Sequence, residues 1–492
     1  MEQKKHNHFK TTNSSSKGGG REGAIYYSTV VVLMLFFAIY TGSNFPYSYI
    51  TIEGDNFWVL TWDFWHLKLA TLPAITNWLA DYLMQFYSNV WVGACIQTLA
   101  LGITAVLAHI VLKKEFHKNW IYWLGLLPSV LLSYYCTFLL SFQMQWIIFF
   151  CLILIYQYIR SSRGRIIYSL LCVPVGFLLL TTPMLALLLL VQAALAFRSY
   201  GAKKCVYWVL PMILLGITPR MYSQQVAFIP FEDRYTEWGC YIDPLTSKNN
   251  HDGEFVKKCV CLANEGRWED LLYKEHVRTE AQRGNGTALR YALLAECALG
   301  TLPENLLDYP INDENLFLYP HKSSIISSQF NRLFYLNLGV FDEAFHHAQE
   351  YSLLMANGNS FSSVRQLIDY SIEEGEWDIA EKFLTVLSYS SCHKDFIKER
   401  RAKMEKAKQQ FNKNIPLRGD NFVGGYPFPV EMLRLARYYK DSPNKKKMVD
   451  YAICAYILRG DINSFMIAVN AFDYYKDKEL PRAYREFRDI FK

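Results

Sequence analysis

The chain has 492 residues, 51% hydrophobic and 16% aromatic, with a formal net charge of +6. Residues 1–219 hold 15 Lys+Arg against 7 Asp+Glu, whereas the remainder holds 36 against 38. The basic excess therefore flanks apolar segments, as in a multi-pass membrane domain, which argues against nucleic-acid binding.

The first 23 residues, MEQKKHNHFKTTNSSSKGGGREG, are polar, basic and Ser/Gly-rich. They predict a disordered cytoplasmic tail over 1–23. The apolar run from Ala24 to Tyr40 has no small-x-small cleavage site, and further apolar runs follow it. It reads as an uncleaved first span.

A spanning helix needs about 20 apolar residues and at least about 17. Candidate runs fall at about 24–41, 89–112, 119–136 and 138–159, with a shorter one at 205–218. A further run, Ile166 to Phe197, has 32 residues. As one helix it would measure about 48 Å, against a hydrocarbon core of about 30 Å. Thr181-Thr182-Pro183 sits inside it, and proline disfavours helix at the residue before it.

The flanking cations decide between one helix and two. Lys4, Lys5, Lys10, Lys17 and Arg21 place the N-terminus in the cytoplasm. Lys113, Lys114 and Lys118, then Arg160, Arg163 and Arg165, return to that side. A short turn at Cys136–Thr137 lies opposite. Arg198, Lys203 and Lys204 do the same only if 166–197 is a hairpin turning at Thr181-Thr182-Pro183. The expectation is a transmembrane domain over 24–218 with about seven spans, in a bacterial inner membrane. A linker follows at 219–252, and the domain at 253–492 lies in the periplasm.

The loop 42–88 carries Glu53, Asp55, Asp63 and Asp81 against a single cation, Lys68. Trp58, Trp62, Phe64, Trp65 and Trp78 suggest helices lying at a membrane interface, with Pro73 between two of them.

Beyond the linker a pattern recurs: GRWEDL at Gly266, GTLPENL at Gly300, GVFDEA at Gly339 and GEWDIA at Gly375. These glycines are 34, 39 and 36 residues apart, and Gly425 and Gly460 are 35 apart. A period near 34 is the tetratricopeptide length, one helix–turn–helix per repeat. Glycine suits the left-handed turn closing the first helix of each pair. The basic stretch KERRAKMEKAKQQ (398–410) reads as a solvated helix face.

Eleven cysteines include no CxxC and no zinc spacing, and they read as buried thiols. No phosphate-binding loop, GxSxG, HExxH or dinucleotide fingerprint is present. Adjacent residues on a helix point about 100° apart, so His346 and His347 would share a metal poorly.

One span, a long external loop with acidic residues, further spans and an external soluble domain together resemble GT-C glycosyltransferases. That resemblance implies a lipid-linked sugar donor, with acidic residues of the first external loop binding a divalent metal or serving as catalytic base. It places Glu53, Asp55, Asp63 and His66 as the residues to weigh. The segments TWDFW (61–65), YLMQFYSNVWVGA (82–94), LANEGRWEDLL (262–272) and FNRLFYLNLGVFDEAFHHA (330–348) look like a family of bacterial multi-pass inner-membrane proteins of unknown function. Members of that family carry a C-terminal tetratricopeptide-like region. Where they have Pro-Gly-Gly after the acidic helix, this chain has Thr71-Leu72-Pro73-Ala74.

The expected fold is all-α: a polytopic helix bundle followed by a soluble helical-repeat domain. The leading functional expectation is an envelope scaffold or assembly factor, without cofactor, that binds a protein or peptide partner on the repeat domain. A lipid-linked sugar transferase is the alternative.

Overall fold

The computed structural model describes residues 16–116, 119–135, 139–201, 206–225, 250–311, 325–354, 359–410, 429–438, 443–472 and 479–490. Helices make up nearly all of them, and none of the described residues forms a strand. The chain divides into two compact units. The first comprises Met1–Tyr49 and Thr61–Tyr241, and the second Ile50–Leu60 and Ile242–Lys492.

In the first unit, α1 (Ser16–Asn44) lies antiparallel to α5 (Val90–Glu115). The Tyr26 hydroxyl donates to the Ala105 carbonyl at 3.0 Å, Met34 covers Gly102, and Trp91 covers Gly42. The interrupted segment α6 (Asn119–Trp123) and α7 (Leu127–Tyr135) turns back along α5. Gly125 meets the His109 backbone there, and the Ser129 hydroxyl donates to Leu101 O at 2.7 Å.

Helix α8 (Leu140–Tyr158) reverses direction again. Its start is tied to Asn77 through Ser141, and its end to Val111 and Glu115 through Gln157. The run that opens at Ile166 is broken into α9 (Ser162–Leu179) and α10 (Thr182–Tyr200), with Pro183 in the first turn of α10. Leu180 and Thr181 lie between them, and Thr181 N–H donates to Gln145 at 3.1 Å. The last segment, α11 (Val209–Gln225), starts beside Tyr156 at Trp208 and ends with Tyr222 against Phe177.

Seven helical segments thus alternate in direction between the same two ends. One end holds Tyr26, His109, Gln157 and Tyr200, and the other holds Gly42, Thr76, Ser141 and Thr181. Five are long and apolar enough to cross a membrane: α5, α8, α9, α10 and Gly23–Asn44 of α1. The apolar stretches Leu124–Tyr134 and Val209–Tyr222 are shorter, so length alone credits five of the seven expected spans. Val32, Leu35, Phe36 and Ile39 of α1 are exposed, whereas Leu185, Leu188 and Met184 of α10 are fully buried.

Three boundaries differ from the sequence reading. Helix α1 starts at Ser16, so the part of 1–23 that is described is helical; a glycine-rich flank marks weakly where a propagating helix stops. Helix α11 continues through Pro219 into the expected linker. Its proline forfeits one backbone bond, and the anchoring of Tyr222 on Phe177 and Leu69 O offsets that loss. Most consequentially, Ile50–Leu60 of the expected external loop belongs to the second unit. Residues 1–15, Lys118, the Cys136–Thr137 turn, Lys203, Lys204, Cys240 and Gly425 lie outside the described residues.

The second unit is built of helical hairpins around one continuous apolar core. In chain order it has α12 (Asn250–Asn264), a π turn (Asp270–Lys274), α13 (Val277–Gln282), α14 (Gly286–Leu299) and α15 (Leu302–Asn305). Then come α16 (Ile325–Leu338), α17 (Phe341–Leu354), α18 (Phe361–Glu373), α19 (Trp377–Ser388) and α20 (Lys394–Gln410). Helices α21 (Pro429–Tyr438), α22 (Lys445–Arg459), α23 (Ile462–Ala471) and α24 (Arg482–Ile490) complete it.

Gly266, Gly300, Gly339, Gly375 and Gly460 all close a helix with φ between 69° and 77°. At each, the next residue's N–H reaches back five positions, as from Val340 to Tyr335 O at 2.9 Å and from Glu376 to Ser371 O at 2.8 Å. This is the Schellman closure, which only glycine adopts without strain. A Cβ on Gly300 would meet open space, whereas one on Gly339 would meet Asn444 Nδ2 at 2.6 Å. Gly300→Ala should therefore cost about 1 kcal/mol from backbone strain alone. Gly339→Ala, which must also displace Asn444, should cost about 2 kcal/mol or more. Chemical denaturation of both variants checks this ordering, and equal costs would remove Asn444 from the account.

The basic stretch 398–410 is only partly a solvated face. Arg400, Arg401 and Lys403 of α20 pair with Asp369, Glu381 and Glu373 of the preceding hairpin.

Candidate functional site

Residues Ile50–Leu60 end α2 (Pro46–Asp55) and continue as an extended segment. They form a strap embedded in the second unit. Phe57, Trp58 and Val59 are buried there, so Trp58 is a core residue and does not lie in an interface. The strap bonds through its backbone at two points. Phe361 N–H donates to Asn56 O at 2.8 Å, and Leu60 N–H donates to Tyr389 O at 3.0 Å.

Glu53 is the strap's charged anchor, only 3% exposed. The Arg365 guanidinium grips both carboxylate oxygens, Nη2 to Oε2 at 2.9 Å and Nη1 to Oε1 at 3.3 Å. His393 Nε2 lies 3.1 Å from Oε1, and the Ser390 hydroxyl lies 2.7 Å from His393 Nδ1. An ionised carboxylate only accepts, so Nε2 carries a proton. The Phe361 ring covers the imidazole at 4.2 Å and Phe57 at 5.4 Å. Asp55 accepts from the Tyr351 hydroxyl, which is itself held by Gln329 at 2.9 Å.

Burial opposes ionisation of Glu53, but the Arg365 charge and the His393 bond outweigh it and hold the carboxyl below its usual range. A depressed folded-state value means that the stabilisation is complete above the unfolded carboxylate range, near pH ~4.3, and is lost as pH falls through the folded value. Amide protection of Leu60 and Phe361 should therefore decline on acidification below that range. The dependence should vanish in Glu53→Gln, as read by hydrogen exchange.

Ser390, His393 and Glu53 place hydroxyl, imidazole and carboxylate in series. All three are buried, and Glu53 is further engaged by Arg365, so the chain of bonds works as a clamp on the strap. Asp63 and His66 belong to the other unit, on α3 (Trp62–Leu69). Both are exposed, and His66 stands edge-on to Trp62 at 5.0 Å. Lys68 pairs with Asp81 of α4 (Ala74–Met84), both buried. His347 bonds Glu350 at 3.1 Å, separately from His346. Among the described residues no three His, Cys, Asp or Glu side chains are placed to hold a metal. The eight described cysteines are free thiols, but not all are buried as expected: Cys95 and Cys392 are exposed and Cys151 is partly buried. Arg365, His393 and Ser390 had no sequence signal as partners of Glu53, which lies more than 300 positions away.

An all-helical protein with five apolar helices of membrane-crossing length, joined to a unit of glycine-closed hairpins, defines the multi-pass membrane class. Residues 23–487 match the family of unknown function DUF6057, and the chain belongs to that family. No curated protein and no solved structure matches it.

Proposed function

We propose that this protein is an envelope scaffold of the bacterial inner membrane that presents a tetratricopeptide-like domain in the periplasm to a protein or peptide partner. The observation that carries this reading is the strap. A short segment lies across α17, α18 and the α19–α20 junction, held by main-chain bonds, a clamped carboxylate and buried aromatic rings. Surfaces of this kind on helical repeats receive peptides.

The strap also supports the sidedness. It belongs to the loop after α1 yet packs within the C-terminal unit, which supports a reading with both on one side of the membrane. An even number of crossings must then separate them. Two helices at 162–200 satisfy this and one would not, whether α6–α7 and α11 cross in full or both do not. Full crossing by all seven segments also keeps Lys113, Lys114, Arg160, Arg163, Arg165 and Arg198 together in the cytoplasm.

The bonding of Glu53 and Asp55 favours the scaffold over a sugar transferase, which would need them for metal or substrate. A reporter active only outside the cytoplasm, fused after Lys492, should be active. Cross-linking of the full-length protein in its own membrane should recover a discrete partner attached through residues 253–492. An inactive reporter, or recovery of no specific adduct, overturns the reading; so does loss of an envelope-glycan phenotype in Asp63→Ala at unchanged protein level.

A further inference from the structure

Lys114, Arg165 and Arg198 converge at the end of the first unit that holds Gln157 and Tyr200, and each is held by aromatic rings. Lys114 Nζ, from the last turn of α5, sits 3.2 Å from the centre of the Tyr158 ring on α8. The Arg198 guanidinium, from the last turn of α10, lies over Phe116 at 5.2 Å. Arg165, near the start of α9, meets the rings of Tyr156 and Tyr200 at 5.0 and 5.3 Å. Its Nε donates to Ile159 O at 2.8 Å and its Nη1 to Ser199 Oγ at 3.2 Å.

A ring face fixes a cation without cancelling its charge. Glu115 offsets part of the Lys114 charge but also accepts the Gln157 amide at 3.1 Å. No ion pair joins Lys114, Arg165 or Arg198 to a carboxylate among the described residues. Lys113, Arg160 and Arg163 add exposed positive charge at the same end, and α9 opens there with its dipole positive. Basic flanks alone suffice to orient a membrane helix. Here cations from three helices are instead gathered around the end of α8, where they repel one another unless an anion joins them. Apolar surface continues from the cluster: Tyr158, Ile155 one turn before it on α8, and Phe197 beside Arg198 are all exposed.

We propose that this cluster binds the phosphate of an anionic phospholipid, with an acyl chain lying along Tyr158 and Ile155. The Arg165 and Arg198 forks suit phosphate oxygens, and Lys114 supplies a point charge. The adjoining apolar surface selects a lipid over free phosphate. The site requires that the apolar helices cross a bilayer, as in the proposed function, but it requires no partner on the second unit. The reporter and cross-linking results therefore stand or fall apart from it.

The test is native mass spectrometry of the full-length protein in detergent, given phosphatidylglycerol or phosphatidylcholine of equal acyl length. Phosphatidylglycerol should be retained with a Kd lower by about tenfold or more. Lys114→Gln and Arg198→Gln, both at exposed positions, should each weaken it about fivefold. Arg198→Lys, which keeps the charge, should retain most of the preference, and Lys406→Gln on α20 should leave it unchanged. Inorganic phosphate at millimolar concentration should leave the lipid bound. Equal retention of the two lipids overturns the proposal. So does a preference that survives Lys114→Gln/Arg198→Gln, which would mark a general attraction to anionic lipid. Displacement by inorganic phosphate overturns the lipid in favour of a free phosphate.

Discussion

Arg365→Ala is expected to destabilise the second unit by about 3 kcal/mol, because breaking a buried ion pair leaves a charge without compensation. Glu53 would keep the His393 bond while staying buried. Arg365 is itself 27% exposed, which keeps the figure at the lower end for buried pairs. Glu53→Gln removes the charge together with its need for a partner and should cost less. The double variant Glu53→Gln/Arg365→Met should recover part of the loss, since neither partner is then stranded. Denaturant unfolding followed by probes in each unit reads this, with Asp63→Ala as an exposed control within about 0.5 kcal/mol. If Arg365→Ala proves no worse than that control, the clamp is not what holds the strap.

Phe361→Ala should have the largest effect, about 3–5 kcal/mol. Its ring is 0% exposed, lies on His393 and against Phe57, and starts the helix that also carries Arg365. Truncation removes the cover over the Glu53–His393 bond as well as the apolar contact, so solvent would reach the carboxylate. The amide of Phe361 can still donate to Asn56, so the strap should loosen first at Glu53 and then at Leu60. Hydrogen exchange resolved along 50–60 tests that order. Val386→Ala, at a position 39% exposed, should stay within about 0.5 kcal/mol.

Much of the architecture was written locally. The break at Thr181-Thr182-Pro183 was legible because proline acts on the residue before it, and cations flanking the run demanded a return. The glycines at 266, 300, 339, 375 and 460 were legible because a left-handed closure selects one residue type wherever it occurs. Span number was less so: α6–α7 and α11 are apolar, but their apolar helices are shorter than the five of membrane-crossing length.

The acidic loop could not be read in this way. Glu53 and Asp55 look like an acid-x-acid pair exposed at a membrane surface, and their spacing says nothing of Arg365, His393 or Tyr351. Sequence alone determined helix and turn, since those depend on neighbours along the chain. Only the tertiary structure decided that Ile50–Leu60 leaves the first unit and is buried in the second. A buried carboxylate takes its meaning from the charge that desolvation forces upon it, and that charge comes from more than 300 residues away.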